Sequence, residues 1–154
     1  MLIPIRSKNP PESFPFVTIL LMAANVIVYA CTSNGLEIKK KSLESLAITG
    51  HTFDFPHLIS SMFLHAGIFH LAGNMLFLYL FGFAVEGRMR SFKFFLLYML
   101  SGVAGSGLHY LFEGRLHPEI PSLGASGAIM GVLGAALVIF PFSKVTFLYG
   151  YSYH

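Results

Sequence analysis

Ser126, His70 and Asn74 are the side chains of this 154-residue chain whose types and positions best suit chemistry. Ser126 stands in Gly124-Ala125-Ser126-Gly127, flanked by residues without bulk and so open to close approach by another backbone. It falls a few residues into an apolar stretch counted from Pro121. Backbone N–H groups near a helix start carry a partial positive charge that suits an oxyanion. The arrangement suggests acyl transfer. His70 and Asn74 are four residues apart and therefore lie one above the other on one helix face. At about 1.5 Å per residue both sit within about 12 Å of the outer end of their stretch, a depth similar to that of Ser126. Polar side chains within apolar spans are costly and each is a candidate site by default. Plainer readings exist for each. A serine bonds the carbonyl four residues back, the small residues of Gly127-Ala128-Ile129-Met130-Gly131 pack helices closely, and His70 and Asn74 link helices by hydrogen bonds. The shared side and depth of the three tip the balance toward a site.

The elements that must position these residues are four stretches without Asp, Glu, Lys or Arg: 13–36, 55–85, 94–112 and 120–143. A helix needs about 20 residues to cross a hydrocarbon core of about 30 Å. The expected fold class is all-α, a polytopic membrane helix bundle with about four spans, near residues 14–32, 66–85, 94–112 and 121–140. Residues 55–65 carry Pro56, His57, Ser60 and Ser61 and read as an interfacial segment. The loop of residues 32–54 is long and the others are short, so neighbouring helices pack antiparallel as one domain covering residues 1–154. Arg6, Lys8, Arg88, Arg90, Lys93 and Lys144 fall on one side of this arrangement, against Lys39, Lys40, Lys41 and Arg115 on the other. That bias predicts a cytoplasmic N-terminus. Val28-Tyr29-Ala30-Cys31 faintly resembles a lipoprotein cleavage site, but the preceding apolar run is long for a signal segment and three more stretches follow.

Composition closes off other classes. Apolar residues make up 55% and charged residues 11%, against roughly 45–50% and about 25% in soluble domains. The ten Lys and Arg residues are scattered, so no nucleic-acid partner is expected. Cys31 is the single cysteine and forms no internal disulfide. His51, His57, His65, His117 and His154 lack a tight metal-ligand spacing, and no metal or other cofactor is expected. Ser101, Gly105 and His109 share a face of the third span, whose glycines suit packing. The motif around Ser126 fails the G-x-S-x-G nucleophile elbow, and no strand precedes it. A transporter or channel fits less well, because no acidic residue lies inside a span.

On these residues the chain resembles the rhomboid intramembrane serine proteases. The match runs over residues 58–140 and includes Ser61-Met62-Phe63-Leu64-His65-Ala66-Gly67, His70-Leu71-Ala72-Gly73-Asn74, Glu86 with Arg88, and Gly124-Ala125-Ser126-Gly127. The resemblance implies a six-helix bundle in which Ser126 is the nucleophile and His70 and Asn74 help form the oxyanion hole. It makes Glu86 and Arg88 a structural pair in the loop after the second span, and Gly124, Gly127 and Gly131 structural glycines. Single-span membrane proteins in the lipid bilayer are the implied substrates. Three departures stand out. Pro56-His57 replace a Trp-Arg pair, Met130 replaces an aromatic residue four after the serine, and the family's general-base histidine on a sixth helix has no counterpart. The chain therefore reads as truncated after the fourth span, with residues 145–153 opening a fifth element. A serine hydroxyl without a base is a weak nucleophile. The alternative function is a catalytically silent rhomboid-like protein that binds client transmembrane helices, although a silent relative has no reason to keep Ser126, His70 and Asn74 together.

Overall fold

The computed structural model describes residues 2–7, 14–141 and 145–149. Helices dominate: α1 (Phe16–Thr32), α2 (Lys40–Leu46), α3 (Phe55–Ser61), α4 (Ile68–Met89), α5 (Ser91–Gly114) and α6 (Ser126–Ile139). The helical expectation is met, with one addition. Strands β1 (Leu2–Ser7) and β2 (Val145–Tyr149) pair antiparallel, which brings the segment before α1 and the segment after α6 to the same end of the molecule. Lys8, Lys144 and His154 lie outside the described residues.

Only α4 and α5, of 22 and 24 residues, are long and apolar enough among the described helices to cross a membrane. The helices α1 and α6 are apolar but have 17 and 14 residues, which rise about 26 and 21 Å. The shortening of α6 corrects the expectation that Ser126 lies inside a span beginning at Pro121. Gly124 has φ +115°, a conformation no helix contains, so residues 121–125 form a loop and the helix starts at Ser126 itself.

A second correction concerns Glu86 and Arg88, which lie within the last turns of α4 rather than in a loop. The helix runs on because Glu86 is buried and fully engaged. Its Oε1 accepts from Val17 N at 2.9 Å and Ser91 Oγ at 2.6 Å, and its Oε2 from Thr18 N and Thr18 Oγ1, each at 2.7 Å. Pro15 gives α1 no side-chain cap, so this carboxylate from another helix satisfies two of its orphan N–H groups. The chain then reverses in one residue, Arg90, at φ 70°.

The core lies between α4, α5 and α6, where Leu78, Val85, Phe94, Tyr98 and Val132 are fully buried. Small residues set how closely α5 and α6 approach. A Cβ on Gly127 would lie 3.4 Å from Gly105 Cα, one on Gly131 would strike Ser101, and one on Gly102 would strike Met62. A π-helical turn at Leu78–Gly82 re-registers α4, and a Cβ on Gly82 there would lie 2.8 Å from the Thr18 methyl.

Candidate active site

The long connection between α1 and α4 is stitched to its surroundings, and that stitching builds the site. Ile38 N donates to Ala66 O and Ile68 N to Leu36 O, both at 3.0 Å, tying the end of α1 to the start of α4. Ile48 and Ser122 exchange two backbone bonds of 3.2 and 2.7 Å, and Gly50 N donates to Pro118 O at 3.0 Å. Phe53 stacks on Tyr110 with ring centroids 3.8 Å apart. Asp54 caps α3, accepting from His57 N at 3.0 Å and facing His57 Nδ1 at 2.7 Å. The backbone N–H of His57, and then its ring, hold the Asp54 carboxyl below the usual carboxylate range. Pro56 and His57 therefore start a capped helix at the place where the family that the sequence resembles carries a Trp-Arg pair.

These ties fix the 121–125 loop over α4. Gly124 N donates to Ser61 O at 2.8 Å. A Cβ on Gly124 would lie 2.8 Å from His70 Cε1, 2.9 Å from His70 Nε2 and 3.8 Å from Asn74 Nδ2. Only glycine fits, both for this contact and for φ +115°. Two residues later Ser126 is exposed at the first position of α6. It lines a cavity of about 330 Å³ with Gly105, Ser106, His109, Gly124 and Gly127. The structure thus joins Gly124 to His70 and Asn74 directly, and Ser126 to Gly124 through the cavity wall. Glu86 and Arg88 lie at the opposite end of α4, and Gly131 lies one turn below the site against α5. Met130 is exposed.

His65 is a residue the sequence did not single out. It is fully buried, and its Nε2 accepts from Asn74 Nδ2 at 2.9 Å while Nδ1 faces Phe63 O at 3.2 Å. The amide nitrogen can only donate, so the ring is the neutral Nδ1–H tautomer, which donates to Phe63 O. His65 also sits edge-on to His70, with centroids 5.1 Å apart. Burial, reinforced by the neighbouring His70 ring, pushes the His65 pKa down to about 4. The nine-residue separation of His65 and Asn74 matches no helical period. It becomes a contact only because His65 lies in the irregular segment between α3 and α4, which turns at residues 62–63 and bends at 66 before the extended Gly67.

The remaining outer histidines face carboxylates instead. His57 is 2.7 Å from Asp54, His51 is 3.4 Å from Glu119 and His117 is 3.9 Å from Glu113. Chemically, the site offers an exposed hydroxyl at the start of a helix, two residues after a glycine that packs against an imidazole and an amide.

The family model of the rhomboid domain matches residues 52–152. The chain is similar to Rhomboid protease GluP of Bacillus subtilis, 32% identical over 139 residues, covering 87% of this chain and 26% of that protein. It is 44% identical over 90 residues to Rhomboid protein 1, mitochondrial, of Saccharomyces cerevisiae, covering 57% of this chain and 26% of that one. RHOMBOID-like protein 1 of Arabidopsis thaliana is 38% identical over 104 residues, covering 68% and 26%. The chain thus spans about a quarter of the length of these relatives. With a family match covering most of its length and two long apolar helices, the chain is a membrane protein that belongs to the rhomboid family.

Proposed function

We propose that this chain is the nucleophile-bearing part of an intramembrane serine protease that cleaves single-span membrane proteins. Ser126 attacks the scissile carbonyl, His70 and Asn74 donate to the oxyanion, and the general base is a histidine outside residues 1–154. The observation that carries this reading is the packing of Gly124 against His70 and Asn74, two residues before an exposed Ser126. That contact ties both side chains to the loop leading into Ser126, and preorganised donors are worth most in a water-poor site. His65 strengthens the arrangement by fixing which way the Asn74 amide points. His70 does not serve as base in this scheme, since a donor to the oxyanion is on the wrong side of the carbonyl to receive the serine proton.

The same reading gives the chain four crossings and a cytoplasmic N-terminus. Supporting this, β1 and β2 meet at one end, as an even number of crossings requires, and Arg88, Arg90 and Lys93 cluster where α4 passes to α5.

Cleavage of a single-span reporter in liposomes, by the protein expressed from its natural reading frame, tests the proposal. Ser126→Ala should abolish cleavage, and His70→Ala or Asn74→Ala should lower it by about 10²–10³-fold. A positioned base contributes typically about 10²–10⁴-fold, so residues 1–154 alone should be nearly inert. Cleavage that survives Ser126→Ala overturns the assignment. Robust cleavage by residues 1–154 alone would move the base into this chain.

A further inference from the structure

The corner where α4 passes to α5 opens a cavity of about 470 Å³, lined by Phe14, Met89, Arg90, Ser91, Phe92 and Lys93. Because α4 and α5 are both long enough to cross a membrane, the residues joining them lie at the headgroup level of one leaflet, whichever way the chain is oriented. Two cations thus stand at a lipid boundary, with no Asp or Glu among the lining residues. Glu86, in the last turns of α4, does not neutralise them, since it is buried and its oxygens accept from Val17, Thr18 and Ser91. Neither Arg90 nor Lys93 has an ion-pair partner among the described residues. Arg90 makes the chain reversal at φ 70°, a conformation that glycine adopts without strain, so a guanidinium stands here against a backbone cost.

We infer that this cavity holds the phosphate of an anionic membrane lipid, with Arg90 and Lys93 as its counter-ions. A planar guanidinium gives two parallel hydrogen bonds to phosphate oxygens, and an ammonium adds a point charge. Basic pockets between membrane helices commonly take such headgroups. A phosphate esterified to glycerol alone brings only negative charge, which the two cations meet. Phosphocholine and phosphoethanolamine bring an ammonium as well, which the same cations repel and no lining carboxylate receives. The rim fits a lipid better than a soluble phosphate. Phe14 and Phe92 are 72% and 73% exposed beside the cations, so they meet the acyl chains of the molecule whose phosphate Arg90 and Lys93 hold. The lipid site is independent of the protease reading, because it shares no residue with the cavity at Ser126.

Native mass spectrometry of the natural protein, released from an uncharged detergent, reads the binding directly. The probes are dihexanoyl-phosphatidylglycerol, dihexanoyl-phosphatidylcholine and glycerol 3-phosphate. With a gain of about fivefold for each cation near a membrane surface, phosphatidylglycerol should bind about 25-fold more tightly than phosphatidylcholine. Arg90→Gln and Lys93→Gln should each lower that ratio about fivefold, and the double variant should bring it close to one. Arg90→Gly removes the same charge while relieving the backbone, so it should lower the ratio equally with no fall in melting temperature. Arg115→Gln, beyond the far end of α5, should leave the ratio unchanged. Equal binding of the two lipids, or a preference that survives the loss of both cations, overturns the inference. Glycerol 3-phosphate binding as tightly as phosphatidylglycerol would make this a site for a soluble anion and overturn the lipid assignment.

Discussion

A methyl group at residue 124 would fall against the His70 ring, and the backbone there already adopts φ +115°, so Gly124 is constrained twice over. Gly124→Ala should cost about 1–2 kcal/mol from the left-handed backbone alone. Displacing the loop by about 1 Å should lower cleavage by about 10²-fold. Thermal unfolding in detergent and reporter cleavage, measured on one preparation, separate the two effects. His65 makes a different prediction. Its folded pKa of about 4 lies below the model-peptide value of 6.5, so the unfolded chain binds the extra proton first as pH falls. Stability due to His65 is therefore complete above about pH 6.5 and is lost progressively toward pH 4, by roughly 3 kcal/mol in all. The melting temperature of the unaltered protein should fall over that window, and that of His65→Gln should fall less. An equal fall in both would remove His65 from the account. Ser126, His70 and Asn74 stood out in the sequence because each is a polar group in an apolar stretch. His65 did not, because its contact with Asn74 depends on the path of residues 62–67 between α3 and α4 and on no repeat.

Helices α1, α4, α5 and α6 follow the uncharged stretches closely, since a span is written in composition over many residues. Their ends are not written that way. The start of α6 is decided by one torsion angle at Gly124, and the end of α4 by the hydrogen bonds of Glu86, both of which depend on other elements. Glu86 also explains how α1 begins after Pro15 with no cap of its own. Glu86→Ala leaves the backbone N–H groups of Val17 and Thr18 and two hydroxyls without a carboxylate, and should cost roughly 3 kcal/mol. Glu86→Gln keeps a carbonyl acceptor and should cost less. Denaturant titration of both variants in one detergent checks the order, and equal stability of the two with the unaltered protein would mean that this carboxylate does not cap α1.

At the scale of the whole molecule, the ribbon of β1 and β2 and the Glu86 cluster occupy one end, and Ser126 with its donors the other. The side facing the cytoplasm should be the first. Cysteines placed one at a time at residue 42 and at Arg90, in a Cys31→Ser background, should react in intact cells with a membrane-impermeant maleimide at residue 42 and not at residue 90. Labelling at residue 90 alone would invert the topology. The sequence could not show the terminal ribbon, because its pairing joins the first described residues of the chain to the last, Leu2 to Tyr149 at the widest. The central claim is that Ser126 is the nucleophile and that His70 and Asn74 hold the oxyanion. Mass spectrometry of the natural protein after reaction with a fluorophosphonate measures it most directly. The account predicts one adduct, on Ser126, forming on the order of 10²-fold more slowly in Asn74→Ala. An adduct on another residue, or a Ser126 adduct whose rate is indifferent to both His70→Ala and Asn74→Ala, would contradict it.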